Sequence, residues 1–194
     1  LVALRGDAPQ GASRFAPHPE GFADTVELIE ALAATGKFNI AVGAYPEPHP
    51  DATSSQADVE WLKRKIDAGA SRAITQFFFE AETFLRFRDA CTKAGIDAPI
   101  IPGILPIDNW DGVKRFARRC GTAVPGWLDD AFAVARRDGR EALLSVALCT
   151  ELCDTLRAEG VEDFHFYTLN RPHLTRDVCH ALGVVPEVAL EKVA

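Results

Sequence analysis

The sequence predicts an α/β fold built on one parallel sheet, and three observations predict it. Apolar, strand-like runs alternate with helix-period segments along the chain, the pattern that buries a parallel sheet under helices. The strand starts fall near residues 1, 38, 72, 99 and 163, mostly one βα unit apart. Each run also ends in polar or proline-rich residues: Arg5-Gly6-Asp7, Tyr45-Pro46-Glu47, Thr75-Gln76, Leu105-Pro106 and Tyr167 to Arg171. In a barrel of βα units such ends converge on one mouth, where the chemistry sits. A (β/α)8 TIM barrel is therefore preferred to the runner-up, an open doubly wound sheet. A whole barrel runs to roughly 250 residues or more. The expectation for these 194 residues is a single domain, residues 1–194, forming the C-terminal portion of a barrel that lacks about three N-terminal βα units.

The elements follow in order. Leu1–Leu4 reads as a short buried strand, followed by a Pro/Gly/Ala loop to about Glu20. Helix periodicity runs from Phe22 to Ala34 through Val26, Leu28, Ile29 and Leu32, and Gly36 closes it. Phe38–Ala44 is the second strand. Asp58–Ala68 is a helix, with Ser54 or Ser55 as its cap. Arg72–Phe78 is the third strand, and a helix from Ala81 to Ala94 ends at Gly95. Pro99–Leu105 is the fourth strand, with helices near Asn109–Cys120, Gly126–Val134 and Arg140–Glu159 after it. Asp163–Tyr167 is the fifth strand, and Leu174–Leu182 the last helix.

Composition narrows the function. A net charge of -7 argues against a nucleic-acid partner, which needs a clustered cationic surface. No apolar run approaches the roughly 18 residues of a membrane helix, and no basic-then-apolar signal segment opens the chain. The five cysteines are Cys91, Cys120, Cys149, Cys153 and Cys179. They are odd in number and form no metal-type pair, so they read as thiols in a reducing cytoplasm. The chain opens on an apolar strand with no methionine before it or anywhere else. The expectation is a fragment with an upstream part missing.

Several groups could carry chemistry. Gly6 lets a ligand approach the backbone, Arg5 can meet a phosphate or an electron-rich ring, and Asp7 can accept from ring N–H groups. A surface Arg-Asp pair in a turn explains the same tripeptide. His49, between Pro48 and Pro50, is held extended. Asp58 and Lys65 share a helix face, while Arg64 projects about 100° away. Arg64 and Lys65 could clamp a diphosphate; a solvated charged helix face is the plainer reading. Trp61 reads as a core anchor rather than a ring platform. Gln76, followed by Phe77, Phe78 and Phe79, suits recognition of a flat heterocycle, though core packing accounts for at least one of those rings. Arg171 could pair with a substrate carboxylate. His165 and His180 read as structural. Ser-His-Asp order, HExxH, the P-loop and GxGxxG are all missing.

Six stretches in order resemble the flavin-dependent methylenetetrahydrofolate reductase family. They are Leu4 to Asp7, Ala44 to Pro50, Leu62 to Ala70, Ala73 to Phe79, Pro102 to Pro106 and Phe164 to Arg171. The likeness runs from residue 1 to about 186. It implies an eight-stranded α/β barrel with non-covalent FAD. NAD(P)H reduces the flavin, and the flavin then reduces 5,10-methylenetetrahydrofolate to 5-methyltetrahydrofolate, a step of one-carbon metabolism that feeds methionine supply. The resemblance places Arg5, Gly6 and Asp7 against the flavin, with Asp7 the catalytic residue and also touching the pterin. Phe22 and Ala23 line the cofactor. Tyr45, His49, Ala52, Asp58, Arg64 and Lys65 hold the flavin, ribityl and diphosphate parts. Gln76 contacts folate and nicotinamide, Phe116 packs on the substrates, and Arg171 meets the folate. A cytoplasmic homo-oligomer is expected.

Trp61 and Gly112 depart from the family pattern, since a polar ligand contact is expected at both. The family's general acid, a glutamate on its first strand, has no counterpart here, so the chain is expected to be inactive or nearly so. A rival reading is a non-catalytic flavin- or folate-binding remnant, or a pseudoenzyme that pairs with a complete subunit. An unrelated lyase or aldolase barrel would need a Schiff-base lysine at a strand end, and none of these ends carries one.

Overall fold

Side-chain caps decide where three of the helices start. Asp24, extended at φ -150°, accepts from the N–H groups of Val26 and Glu27 at 2.7 and 3.0 Å, and Glu27 accepts from the N–H of Ala23 at 2.8 Å. This reciprocal cap starts α1 at Thr25 (Thr25–Ala34), three residues later than the apolar period from Phe22 predicts. Phe22 is left half exposed at 50%. Ser54, not Ser55, caps α2 (Ser55–Asp67) through the Ala57 N–H at 3.1 Å. Asn109 caps α4 (Trp110–Cys120). The other helices are α3 (Ala81–Lys93), α5 (Trp127–Arg137), α6 (Glu141–Ala158) and α7. Helix α7 (Pro172–Ala181) begins two residues before the expected Leu174, because Pro172 suits the first helical position.

The computed structural model describes residues 1–6, 8, 11 and 15–184. Its strands are β1 (Val2–Ala3), β2 (Ala41–Ala44), β3 (Arg72–Phe77), β4 (Ile100–Ile104) and β5 (His165–Phe166). All pairings are parallel, and the spatial order β1-β2-β3-β4-β5 equals the chain order. A doubly wound sheet reverses its order at a switch point. This one winds in a single direction, as the wall of a barrel does, and is consistent with a partial TIM barrel. Among the described residues no helix is long and apolar enough to cross a membrane.

Three apolar clusters hold the wall. Helices α1 to α3 bury Ile29, Val59, Leu62 and Phe87 against Val42 and Ala73 of the sheet. Helices α4 and α5 set Trp110, Val113, Leu128 and Phe132 beside Phe77. Helices α3, α6 and α7 set Phe84, Cys149, Cys153 and Val178 around Ile104. Each fully buried ring or branched side chain contributes about 1.5–3 kcal/mol. Burial pushes the Cys91 thiol up to about 11 and the Cys149 and Cys153 thiols up to about 12. These three thiols therefore pack as small apolar groups, while Cys120 and Cys179 are half-buried.

Candidate active site

Parallel pairing sends the C-terminal ends of all five strands to the same side, and contacts between their exit loops draw them into one rim. Arg5, after β1, pairs with Asp51 of the β2 loop at 2.9 Å and lies over the Phe15 ring at 5.0 Å. Glu47 accepts from the Ala123 N–H at 2.9 Å. Arg171, after β5, pairs with Asp108, after β4, and His173 adds a second contact to Asp108 at 3.5 Å. The Tyr167 hydroxyl donates to the Thr75 carbonyl at 2.8 Å, so β5 reaches over β4 to β3.

The β2 exit is rich in desolvated charge. His49 meets the Tyr45 ring edge-on at 4.6 Å, and its backbone N–H donates to Asp58 at 2.9 Å. Its Nδ1 accepts from the Asp51 N–H at 3.0 Å, and its carbonyl from the Ala52 N–H at 2.8 Å. Partial burial raises the Asp58 carboxyl above its ordinary value, against the lowering effect of its His49 bond. Glu47 is raised for the same reason. Lys65 is only 5% exposed, and its ammonium donates to the Gly43 carbonyl. Burial pulls its pKa down to about 8, with Asp58 the opposing influence.

Lys65 and Asp58 thus share the face turned to the β2 exit. Arg64 is exposed and stacks on Trp61 at 4.5 Å. Trp61 is half-buried and serves as that platform, which corrects its reading as a core anchor. The two cations of the expected clamp point different ways, since adjacent helical residues diverge by about 100°.

Apart from the surface Arg171–Asp108 pair, the other exits rely on neutral bonds and rings. Gln76 is half-buried, and its Oε1 accepts from the Phe77 N–H at 3.0 Å. That bond leaves the amide NH2 as the presented group. Phe116 stacks on Phe77 at 5.3 Å, with Arg119 at 5.8 Å on its ring. Phe77 and Phe78 are buried in core clusters, and Phe79 packs beside them. Leu169 and Asn170 take positive φ (47° and 61°) just before Arg171. Two consecutive non-glycine residues in that region are strained, and such strain gathers at functional turns. Partial burial lowers the His165 pKa; its ring packs edge-on against Tyr167 at 4.8 Å.

Gly6 is exposed beside Arg5; Asp7, the expected catalytic residue, lies outside the described residues. Phe22 and Ala23 stand exposed at the foot of α1. Glu47, Asp51, Asp108 and Tyr167 join the rim without having been singled out as site residues. Glu47 and Tyr167 did lie inside the stretches that carry the family resemblance.

The donor set suits an anionic ligand. Lys65 has three N–H donors and, among the described contacts, one carbonyl acceptor, so an anion beside it would satisfy what the fold leaves over.

The family model for methylenetetrahydrofolate reductase matches residues 1–183. The 5,10-methylenetetrahydrofolate reductase of Escherichia coli K12 is 48% identical over 187 residues, covering 96% of this chain and 61% of the relative. That of Pectobacterium carotovorum is 47% identical over 190 residues, covering 97% and 62%. Methylenetetrahydrofolate reductase (NADH) 1 of Zea mays is 36% identical over 96% of this chain and 34% of its own length. A solved structure from Clostridium thermocellum, described as an uncharacterized protein that binds two copies of 5-methyl-5,6,7,8-tetrahydrofolic acid, matches with a TM-score of 0.53. At 16% identity over 82% of this chain and 57% of that one, it speaks for the fold alone. The chain spans about three-fifths of the bacterial relatives' length. With a match across nearly all of its described residues and almost half of its positions identical to the bacterial enzymes, this chain belongs to the methylenetetrahydrofolate reductase family.

Proposed function

We propose that this chain carries the flavin- and folate-holding rim of a reductase that converts 5,10-methylenetetrahydrofolate to 5-methyltetrahydrofolate. FAD, when bound, would accept hydride from NAD(P)H and deliver it to the folate. The observation that carries the reading is the buried Lys65 ammonium at the β2 exit, held by one backbone carbonyl. It would meet the cofactor's diphosphate. Arg5, Gly6, Tyr45, His49, Ala52 and Asp58 would orient the rest of it, and Arg64 would leave Trp61 to join Lys65. Asp7 would lie against flavin and pterin. The Gln76 amide would donate to nicotinamide and folate in turn, Phe116 would cover them, and Arg171 would exchange Asp108 for a folate carboxylate. Family membership and the names of the relatives support this assignment.

The relatives extend well beyond the matched region, which supports placing the general acid and the remaining βα units outside these residues. The same coverage favours, as a second reading, a flavin-binding part without turnover of its own. One experiment tests both. The 194-residue chain is reconstituted with FAD, its visible spectrum recorded, and NADH and menadione added. A bound-flavin band with little turnover is expected. Turnover at the rate of a complete reductase would overturn the placement of the missing parts, and failure to take up flavin would overturn the function itself.

A further inference from the structure

Strand β3 carries one residue too many for its partner. Ile74 pairs with Ile101 and Phe77 with Gly103, so three steps on β3 face two on β4. The extra residue lies at Thr75-Gln76, while the pairing of Thr75 with Ala44 on the other side stays regular. A slip of one residue turns a side chain to the opposite face of a sheet, and bulges beside active sites re-aim side chains. This bulge therefore decides where Gln76 points.

The polar groups around it are satisfied by side chains rather than by the ladder. Thr75 Oγ1 accepts from the Gly103 N–H at 2.9 Å. Thr122 donates to the Phe77 carbonyl at 3.2 Å. The Thr75 carbonyl, which is the other half of the Gln76 peptide, accepts from the Tyr167 hydroxyl at 2.8 Å. Tyr167 crosses β4 to reach it, and it passes over a glycine. A Cβ on Gly103 would stand 2.2 Å from the Thr75 carbonyl oxygen and 2.6 Å from Tyr167 Cε2. Burial pushes the Tyr167 phenol up to about 12, so it is a neutral donor at physiological pH.

We propose that Tyr167 is the positioning residue for Gln76: its hydroxyl pins the bulged Thr75–Gln76 peptide from across β4 and sets the direction of the Gln76 amide. The inference rests on the reading that Gln76 meets the folate, and its test keeps the two apart. Amide exchange of the ligand-free 194-residue chain is compared with that of Tyr167→Phe. The variant should exchange about tenfold faster at Phe77 and Gly103 and unchanged in α7, since a lost buried hydrogen bond opens the structure locally. Binding of 5-methyltetrahydrofolate is then measured for the parent, Tyr167→Phe, Gln76→Ala and the double variant. Tyr167→Phe should weaken binding about 3- to 10-fold, and should weaken it no further once Gln76 is gone. Losses that multiply would overturn the proposal, as would unchanged exchange at Phe77 and Gly103. A parent that binds no folate while the exchange result holds would instead count against the function proposed for Gln76, leaving the Tyr167 bond to the bulge intact.

Discussion

The β2 exit and the β3–β5 exits hold their polar groups by different physics. At β2 the groups are charges taken partly out of water: Lys65, Asp58 and Glu47. At β3 to β5 the ion pair of Arg171 with Asp108 stays at the surface, and the inner groups are neutral, with the Tyr167 hydroxyl, Thr75, Thr122 and the Gln76 amide fixed by hydrogen bonds and by stacked rings. A desolvated charge costs the empty protein stability and is repaid by a counter-charge. A satisfied neutral network costs little and fixes geometry. The first region thus suits an anion, and the second suits a group held by geometry rather than by charge.

The largest expected effect is at Lys65. Its pKa falls from 10.5 unfolded to about 8 folded, a difference worth about 3 kcal/mol at 1.36 kcal/mol per unit. The folded state holds fewer protons on Lys65 than the unfolded one between those values, so the Lys65 contribution rises with pH across about 8 to 10.5, against the fall that the buried Cys91, Cys149 and Cys153 thiols, raised from 9.0, impose in that range. The difference in urea stability between the ligand-free protein and Lys65→Met should show that rise, since the thiol contribution is common to both. The variant should also be the more stable protein at pH 7, by about 2–3 kcal/mol. A less stable Lys65→Met would remove the contrast between the two regions.

Gly103→Ala comes next. A methyl group there meets backbone and ring rather than a flexible side-chain end. The overpacking should cost about 3 kcal/mol, equally at about pH 8 and pH 9.5, a range in which Lys65 titrates while His165, lowered from 6.5, and Tyr167, raised to about 12, do not. A pH-dependent loss in the melts would tie Gly103 to the charged region instead.

The smallest effect sharpens the β2 side. The folded Asp58 carboxyl is raised by desolvation. Its contribution is fully present below the unfolded value, 3.8, and is lost as pH rises through the folded one. Asp58→Asn keeps an acceptor for the His49 N–H and should flatten the decline in stability above pH 4. An unchanged pH profile would assign the decline to Glu47.

The alternation of strands and helices was legible because it is local. All five observed strands lie inside the expected runs. The α1 start was misplaced because Phe22 fits the apolar period, while the Asp24 and Glu27 side chains stop the helix short of it. Sequence alone ranked the barrel above the doubly wound sheet from its strand ends, without reaching the strand order, which is a long-range property; the sequential order β1 to β5 favours the barrel. At the site, the shared face of Asp58 and Lys65 was readable from helical spacing. The burial of Lys65 was not, because the Gly43 carbonyl that receives it lies 22 residues away. Tyr167 read as one more polar residue at a strand exit. Its bond joins residues 92 apart and needs the gap at Gly103.

The most direct test of the central claim is a titration of FAD into the 194-residue chain and its Lys65→Met variant, followed by flavin fluorescence at pH 7. Saturable quenching at one flavin per chain, with affinity at least tenfold weaker in Lys65→Met, is the predicted result. Equal affinity in both proteins, or no quenching in either, would contradict it.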